Sequence, residues 1–247
     1  MLDILNQHRT IRKYTDKKID PKLLDNLLET ACRASNTGNM QTYSIVVTTN
    51  EELKKQLSPA HFNQPMIIQA PVVLTFCADF NRFSKWCELR DAEPGYNNFQ
   101  SFMATAIDAI IAAQTFCIAA ESQGLGICYL GTTTYNAQEI IDVLKLPKLV
   151  VPITTITAGY PAKIPDQTDR LPLEAVVHYE TYSDFTPESI DEIHLEKETS
   201  EFYKQFVLEN NKTTLAQVFT DIRYSKKNNE FFSEKFLTVL KKQGFLQ

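Results

Sequence analysis

Between Phe102 and Ser122 the chain is apolar on nearly every side: Met103, Ala106, Ile107, Ile110, Ile111, Ala113, Ala119 and Ala120, with Asp108 and Gln114 embedded. A helix at a protein surface carries one apolar stripe, whereas a helix apolar all round has to be covered. The segment therefore predicts a central, buried helix, ended by Gly124 and Gly126, with the rest of the chain as its cover. No stretch approaches the roughly 20 apolar residues of a membrane span, so no membrane is expected.

The cover is legible as alternating elements. Tyr43–Thr49 alternates and is rich in β-branched residues, which predicts a strand. Residues 70–78 form a continuous apolar run, the pattern of a strand covered on both faces. Residues 127–131 and 150–158 read as two further strands, the second closed by Gly159-Tyr160-Pro161. Residues 2–9 predict a short opening helix. Pro21–Ala34 predicts a helix with Leu23, Leu24, Leu27, Leu28 and Ala31 at three- and four-residue spacing, Asp20 as its N-cap and Pro21 in its first turn. Residues 51–57 and 137–144 are helical, residues 83–99 are a helix or loop of mixed character, and Ser35–Gln41 is a polar loop. Past Pro172 the composition changes. Acids crowd 181–200, and 201–247 read as amphipathic helices carrying Phe202, Phe206, Leu215, Val218, Phe219, Phe232, Phe236, Leu237 and Leu240. That divides the chain into a core, 1–180, and a helical extension, 181–247, that docks on the core or on another subunit.

Against a net charge of −5, the basic run His8-Arg9-Thr10-Ile11-Arg12 stands out. Arginine forks and a threonine hydroxyl match phosphate oxygens, although basic residues at helix ends are commonly just solvated. The acidic balance excludes general nucleic-acid binding, which needs an extended basic face. The five cysteines are odd in number and show no metal-type spacing, so no metal is expected. Three of them lie in apolar runs, which suits reduced thiols in the cytoplasm. Met1-Leu2-Asp3 lacks the start of a signal peptide.

In order along the chain stand the basic run, the Ser/Asn-rich loop, Gly124-Leu125-Gly126 before Tyr129-Leu130-Gly131, and Gly159-Tyr160-Pro161 followed by Arg170-Leu171-Pro172. This set resembles the nitroreductase and flavin reductase superfamily. Its length, the segment Phe76–Arg82 and the helical tail resemble the longer, oxygen-insensitive nitroreductase branch. The resemblance implies an α+β fold with a mostly antiparallel central sheet flanked by helices, and an intertwined homodimer binding FMN at its interface, with helix 102–122 facing the partner. Carried over residue by residue, His8, Arg9 and Thr10 match FMN phosphate positions, with Arg170 as a second phosphate arginine. Arg12 matches a cation near the ribityl chain and the N1/O2 side of the ring, where reduced flavin carries its negative charge. Gln64 matches a contact to the ribityl or ring edge, while Asn36, Gln41, Tyr129, Leu130 and Gly131 would line the ring. Gly124 and Gly126 serve equally as a plain helix stop.

Departures are visible too. Thr10 replaces the commoner Ser, and Thr132 stands where a second Gly is frequent. No Lys precedes Arg170 by two; Asp169 opposes an anion, and Lys163 is the compensating candidate. No arginine stands near Gln205-Phe206-Val207 for the 2′-phosphate of NADPH. The implied activity is an FMN-dependent, NAD(P)H-driven reduction of nitroaromatics, quinones or free flavin by two-step exchange at one site, with no obligatory protein acid, base or nucleophile. The alternatives are a specialised flavin, enone or dehalogenating reductase of the same fold, a non-catalytic FMN-binding redox sensor, and a helical scaffold whose basic cluster binds acidic surfaces.

Overall fold

The structure is a computed structural model describing residues 2–246. Strands β1 (Tyr43–Thr48), β2 (Val72–Asp79), β3 (Gly126–Leu130) and β4 (Val150–Gly159) pair antiparallel throughout in one sheet, in the order β1-β2-β4-β3. Central β2 is buried at every residue, as its unbroken apolar sequence requires. Its side chains alternate between two packed layers. Val72, Leu74 and Phe76 join one cluster with Ala109, Ala112, Ala113 and Phe116, and Val73 joins another with Leu57, Ala60, Ile67 and Ile140. The fold is α+β, as expected.

The helices are α1 (Leu2–Asn6), α2 (Pro21–Ala31), α3 (Glu51–Leu57), α4 (Met66–Gln69), α5 (Asn81–Glu88), α6 (Phe99–Ser122), α7 (Ala137–Leu144), α8 (Pro187–Thr199), α9 (Glu201–Glu209), α10 (Leu215–Gln217) and α11 (Lys226–Gln243). Asp20 caps α2 by accepting from the backbone N–H groups of Lys22 and Leu23 at 2.9 and 3.1 Å. The helix stops at Ala31, three residues short of the expected end, where the chain turns into the polar loop. The stretch 83–99 resolves into α5 and an irregular connection to Asn98, the N-cap of α6.

In the single chain helix α6 is covered on one side only, which fits a helix expected to face a partner subunit. Its alanine-rich face, with Phe116 and Cys117, packs against the sheet, whereas Met103, Ile107, Ile110 and Ile111 are 37–51% exposed. By length and composition it is also apolar enough to cross a membrane, contrary to the reading that no stretch approached that limit. Half of its most apolar window is buried inside the fold, and that packing makes it a core helix.

The chain forms two compact units, Met1–Asp166 with Phe232–Gln247, and Gln167–Phe231. They are not the segments 1–180 and 181–247 read from the sequence. The first unit holds the sheet and takes in the end of α11, because Val239, Leu240 and Phe245 are buried with Phe80, Phe102, Ile141 and Val151. The second holds α8 to α10, with reciprocal side-chain caps at Thr186/Ser189 and Thr214/Gln217.

Candidate functional site

The basic run lies along an edge strand. In the sheet order β3 is terminal, and Thr10 bridges Ile127 in parallel while Ile11 N donates to Ile127 O at 2.9 Å. Ile11 is 4% exposed and anchors the segment in the apolar layer beneath. Gly126 makes the approach possible, since a Cβ there would sit 2.4–2.8 Å from three Ile11 atoms. On the other side Thr15 N donates to Tyr160 O and Ala162 N to Lys13 O, both at 2.9 Å. The Tyr14 hydroxyl stands 2.7 Å from Ile11 O and 2.8 Å from Thr157 Oγ1, and burial pushes its pKa up. Residues 10–15 are thus laced to β3 and to the exit of β4.

This lacing leaves Arg12 exposed, with no hydrogen bond or ion pair among the described residues. Arg9 commits one nitrogen, Nη1, to Gln7 O at 2.7 Å. His8 Nδ1 lies 2.6 Å from Glu121 Oε1, so Nε2 is the atom left for a ligand. His8, Arg9, Glu121, Gly126 and Pro161 border a cleft of about 310 Å³.

The same strand ends in Tyr129, Leu130 and Gly131. Tyr129 donates to Gln114 Oε1 on α6 at 3.3 Å; burial first, then the Cys117 thiol, pushes its phenol pKa up. Leu130 is buried, and its carbonyl accepts from Thr133 Oγ1 at 2.9 Å. At Gly131 a Cβ would meet nothing within 4 Å, so the backbone there is open to a ligand. Next to it, Thr132 Oγ1 and His61 Nδ1 lie 2.9 Å apart. Gln64 is half-buried one turn beyond His61, its backbone N–H donating to His61 O at 3.1 Å. The buried imidazole is pushed down to about 4 by desolvation, hence neutral at pH 7.

In the polar loop, Asn36 Oδ1 accepts from Gln41 N at 3.1 Å, and Gln41 Nε2 reaches Asn39 Oδ1 at 3.2 Å. The loop is anchored on α6 at Asp108. Tyr129 meets the same helix at Gln114, roughly 9 Å further along at 1.5 Å per residue. No hydrogen bond joins Asn36 or Gln41 to the β3 edge among the described residues. Lys163 is exposed and without a hydrogen-bond partner among them.

Arg170 belongs to the second unit, where Nη1 donates to Thr168 Oγ1 and Asp169 O at 2.8 Å each. Asp169, expected to oppose an anion, is neutralised locally by Lys197 at 3.0 Å and accepts from Tyr203 Oη at 2.8 Å. Partial burial raises its pKa, but these two partners outweigh that and hold it below the usual range.

The structure therefore brings together Thr10, Arg12, Tyr129, Leu130 and Gly131 on one edge, with Gln64 tied in through His61. Sequence reasoning missed Glu121, His61 and the steric reason for Gly126, and it noted Asp108 only as a polar residue in an apolar helix. Among the described residues no group of three His, Cys, Asp or Glu is placed to hold a metal. A free guanidinium, a hydroxyl and open backbone are a donor set suited to a phosphate-bearing cofactor with a flat polar ring.

A profile of the Nitroreductase family matches residues 5–160. The chain is 42% identical over 180 residues to the FMN reductase (NAD(P)H) of Bacillus subtilis strain 168, covering 72% of each chain. It is 34% identical over 181 residues to the oxygen-insensitive NADPH nitroreductase of Salmonella typhimurium, covering 73% of this chain and 74% of that one. A solved structure from Bacteroides fragilis NCTC 9343 is 59% identical, with a TM-score of 0.98 over 99% of this chain and 100% of that one.

Proposed function

Because the chain belongs to the nitroreductase family, we propose that it is an FMN-dependent oxidoreductase driven by NAD(P)H and reducing a small-molecule acceptor, a nitroaromatic, quinone or free flavin. The observation that carries this reading is the basic segment laid along β3, which sets the free Arg12 and Thr10 on the strand that ends at the open backbone of Gly131. FMN held by Thr10 and Arg12 would supply the redox chemistry, carrying two electrons from the nicotinamide to the acceptor.

The chain's own residues bind, orient and tune. Arg12 and Thr10 offer charge-assisted and neutral donors, with Arg9 and His8 Nε2 beside them. The His8–Glu121 pair fixes the imidazole so that Nε2 faces away from the carboxylate. Gly131 lets a ring approach the main chain, and the Tyr129 phenol stays protonated throughout the neutral range. For Arg170 the support is the order of motifs in the sequence, and Lys163 is the candidate to replace the Lys missing two residues before it. The exposed Ile107, Ile110 and Ile111 on α6 support a homodimer through that helix, since apolar surface of this kind is stabilised by burial. Five unpaired cysteines suit a reducing cytoplasm.

Exchange at one site makes a specific kinetic demand. Initial rates of the FMN-loaded protein, with donor varied at several acceptor concentrations, should give parallel double-reciprocal lines. Intersecting lines would mean that donor and acceptor are bound together, and the one-site scheme would be withdrawn.

A further inference from the structure

The loop between α2 and β1 holds one residue in a conformation it does not favour. Gly38 and Asn39, each with φ of 56°, are residue types that accept left-handed backbone, whereas Gln41, with φ of 53°, is not. Strain of this kind persists only where the surroundings over-determine it. What determines it here is a carboxylate on another element. Asp108, on α6, is 1% exposed. Its Oδ1 accepts from Thr37 N and Thr37 Oγ1, both at 3.0 Å, and its Oδ2 accepts from Thr42 Oγ1 at 3.1 Å. One side chain thereby closes both ends of the loop that carries Asn39, Met40 and Gln41, with Asn36 just outside it.

A second ring of bonds seals the first. Thr105, one turn back on α6, donates to Thr42 O and accepts from Asp79 N at 3.1 Å. Asp79 accepts from Ser44 Oγ and, at 3.3 Å, from the backbone of Arg82, whose guanidinium donates to Gln41 O. A buried carboxylate is costly in an apolar helix unless donors surround it. The donors here all come from the loop and its root. An alanine would suit the helix better, so the charge serves the loop.

We infer that Asp108 is the positioning residue of the site: it holds Asn36 and Gln41 in the geometry through which they line the flavin ring, and so sets how an acceptor fits. The inference rests on the FMN reading above and on the ring-lining role that the family resemblance gives Asn36 and Gln41. Asp108 touches neither cofactor nor substrate; it acts through the loop.

The test uses the FMN-loaded full chain with Asp108→Asn, which keeps one acceptor oxygen, and Thr37→Val, which removes one donor from an exposed position and leaves the core intact. Backbone amide exchange at residues 37–42 should accelerate about tenfold in Asp108→Asn, equivalent to ~1.4 kcal/mol of lost local protection. The absorption band of bound flavin should shift, and the acceptor KM should rise about tenfold while kcat stays within about twofold. Thr37→Val should move each readout the same way by a smaller factor, and it carries the test if Asp108→Asn does not fold. Unchanged exchange, spectrum and KM would overturn the inference. Faster exchange with unchanged spectrum and KM would also overturn it, since the loop would then be anchored without serving the site. A wild-type protein that does not bind FMN would overturn the underlying reading instead, and is distinguishable before any variant is made.

Discussion

Replacing Gly126 by alanine tests the docking of the basic run on β3 without touching a charge. The new Cβ would lie 2.4, 2.6 and 2.8 Å from Cγ1, Cβ and Cγ2 of Ile11, where carbon atoms pack comfortably at about 3.5–4.0 Å. Ile11 cannot turn away, because its own Cβ is among the clashing atoms and its β-branched side chain is confined in χ1. Segment and strand must therefore part by roughly 1 Å, which carries the 2.9 Å bond from Ile11 N to Ile127 O beyond the usual limit of about 3.2 Å. Overpacking costs about 1–3 kcal/mol and the lost hydrogen bond about 0.5–1.5 kcal/mol, so the expected destabilisation is ~1.5–4.5 kcal/mol. It should appear in urea unfolding as a lower midpoint with little change in slope, and FMN affinity should fall because Thr10 and Arg12 move with Ile11. Gly131→Ala is the control: with open space around it, stability should change by no more than about 0.5 kcal/mol. A Gly126→Ala protein with wild-type stability and wild-type FMN affinity would refute the docking argument.

Three further outcomes follow from the same geometry. His61 has a folded pKa of about 4 against an ordinary 6.5. Because the folded value is depressed, its contribution is complete above pH 6.5 and is lost as pH falls towards 4, up to ~3 kcal/mol. Urea midpoints at pH 7 and 4.5 should show that loss in wild type and much less of it in His61→Gln; equal losses would exclude His61 as its source. Arg12→Ala should lower the midpoint potential of bound FMN, with Arg12→Lys recovering part of it, at about 30 mV for each 1.4 kcal/mol of differential stabilisation; an unchanged potential would remove Arg12 from the ring. Ile110→Glu alters a side chain that is 49% exposed in the single chain, so light scattering should report a folded monomer in place of a dimer, whereas an unaltered dimer would exclude α6 from the interface.

What could be read from the sequence was what local chemistry encodes. Asp20-Pro21 marked the start of α2, and residues 137–144 gave α7 with the observed bounds. The end of α2 was misplaced because no Gly or Pro follows Ala31 to mark it. Helix α6 reads as apolar on all sides because composition does not distinguish a face packed on the sheet from one left open in the single chain. Its alanines took the sheet and its isoleucines stayed outside. The two glycines after it looked alike in sequence but differ physically. Gly124 has φ 73° and turns the chain, whereas Gly126 is there so that Ile11 can approach. The site's supporting pairs were out of reach for a different reason. His61 meets Thr132, and Asp108 meets Thr37, each across 71 residues, and His8 meets Glu121 across 113. Nothing local in a chain selects such partners, so the basic run and the Tyr129–Gly131 turn were connected only through the resemblance of the whole ordered set.

The central claim is that this chain holds FMN and receives electrons from a nicotinamide. The most direct measurement is the visible spectrum of the purified, FMN-equilibrated and desalted protein, recorded anaerobically before and after stoichiometric NADH or NADPH. The account predicts a flavin spectrum that stays with the protein through desalting, bleaches on addition of at least one nucleotide and returns when a nitroaromatic or quinone is added. A protein that emerges colourless, or whose bound flavin is bleached by neither nucleotide, would contradict it.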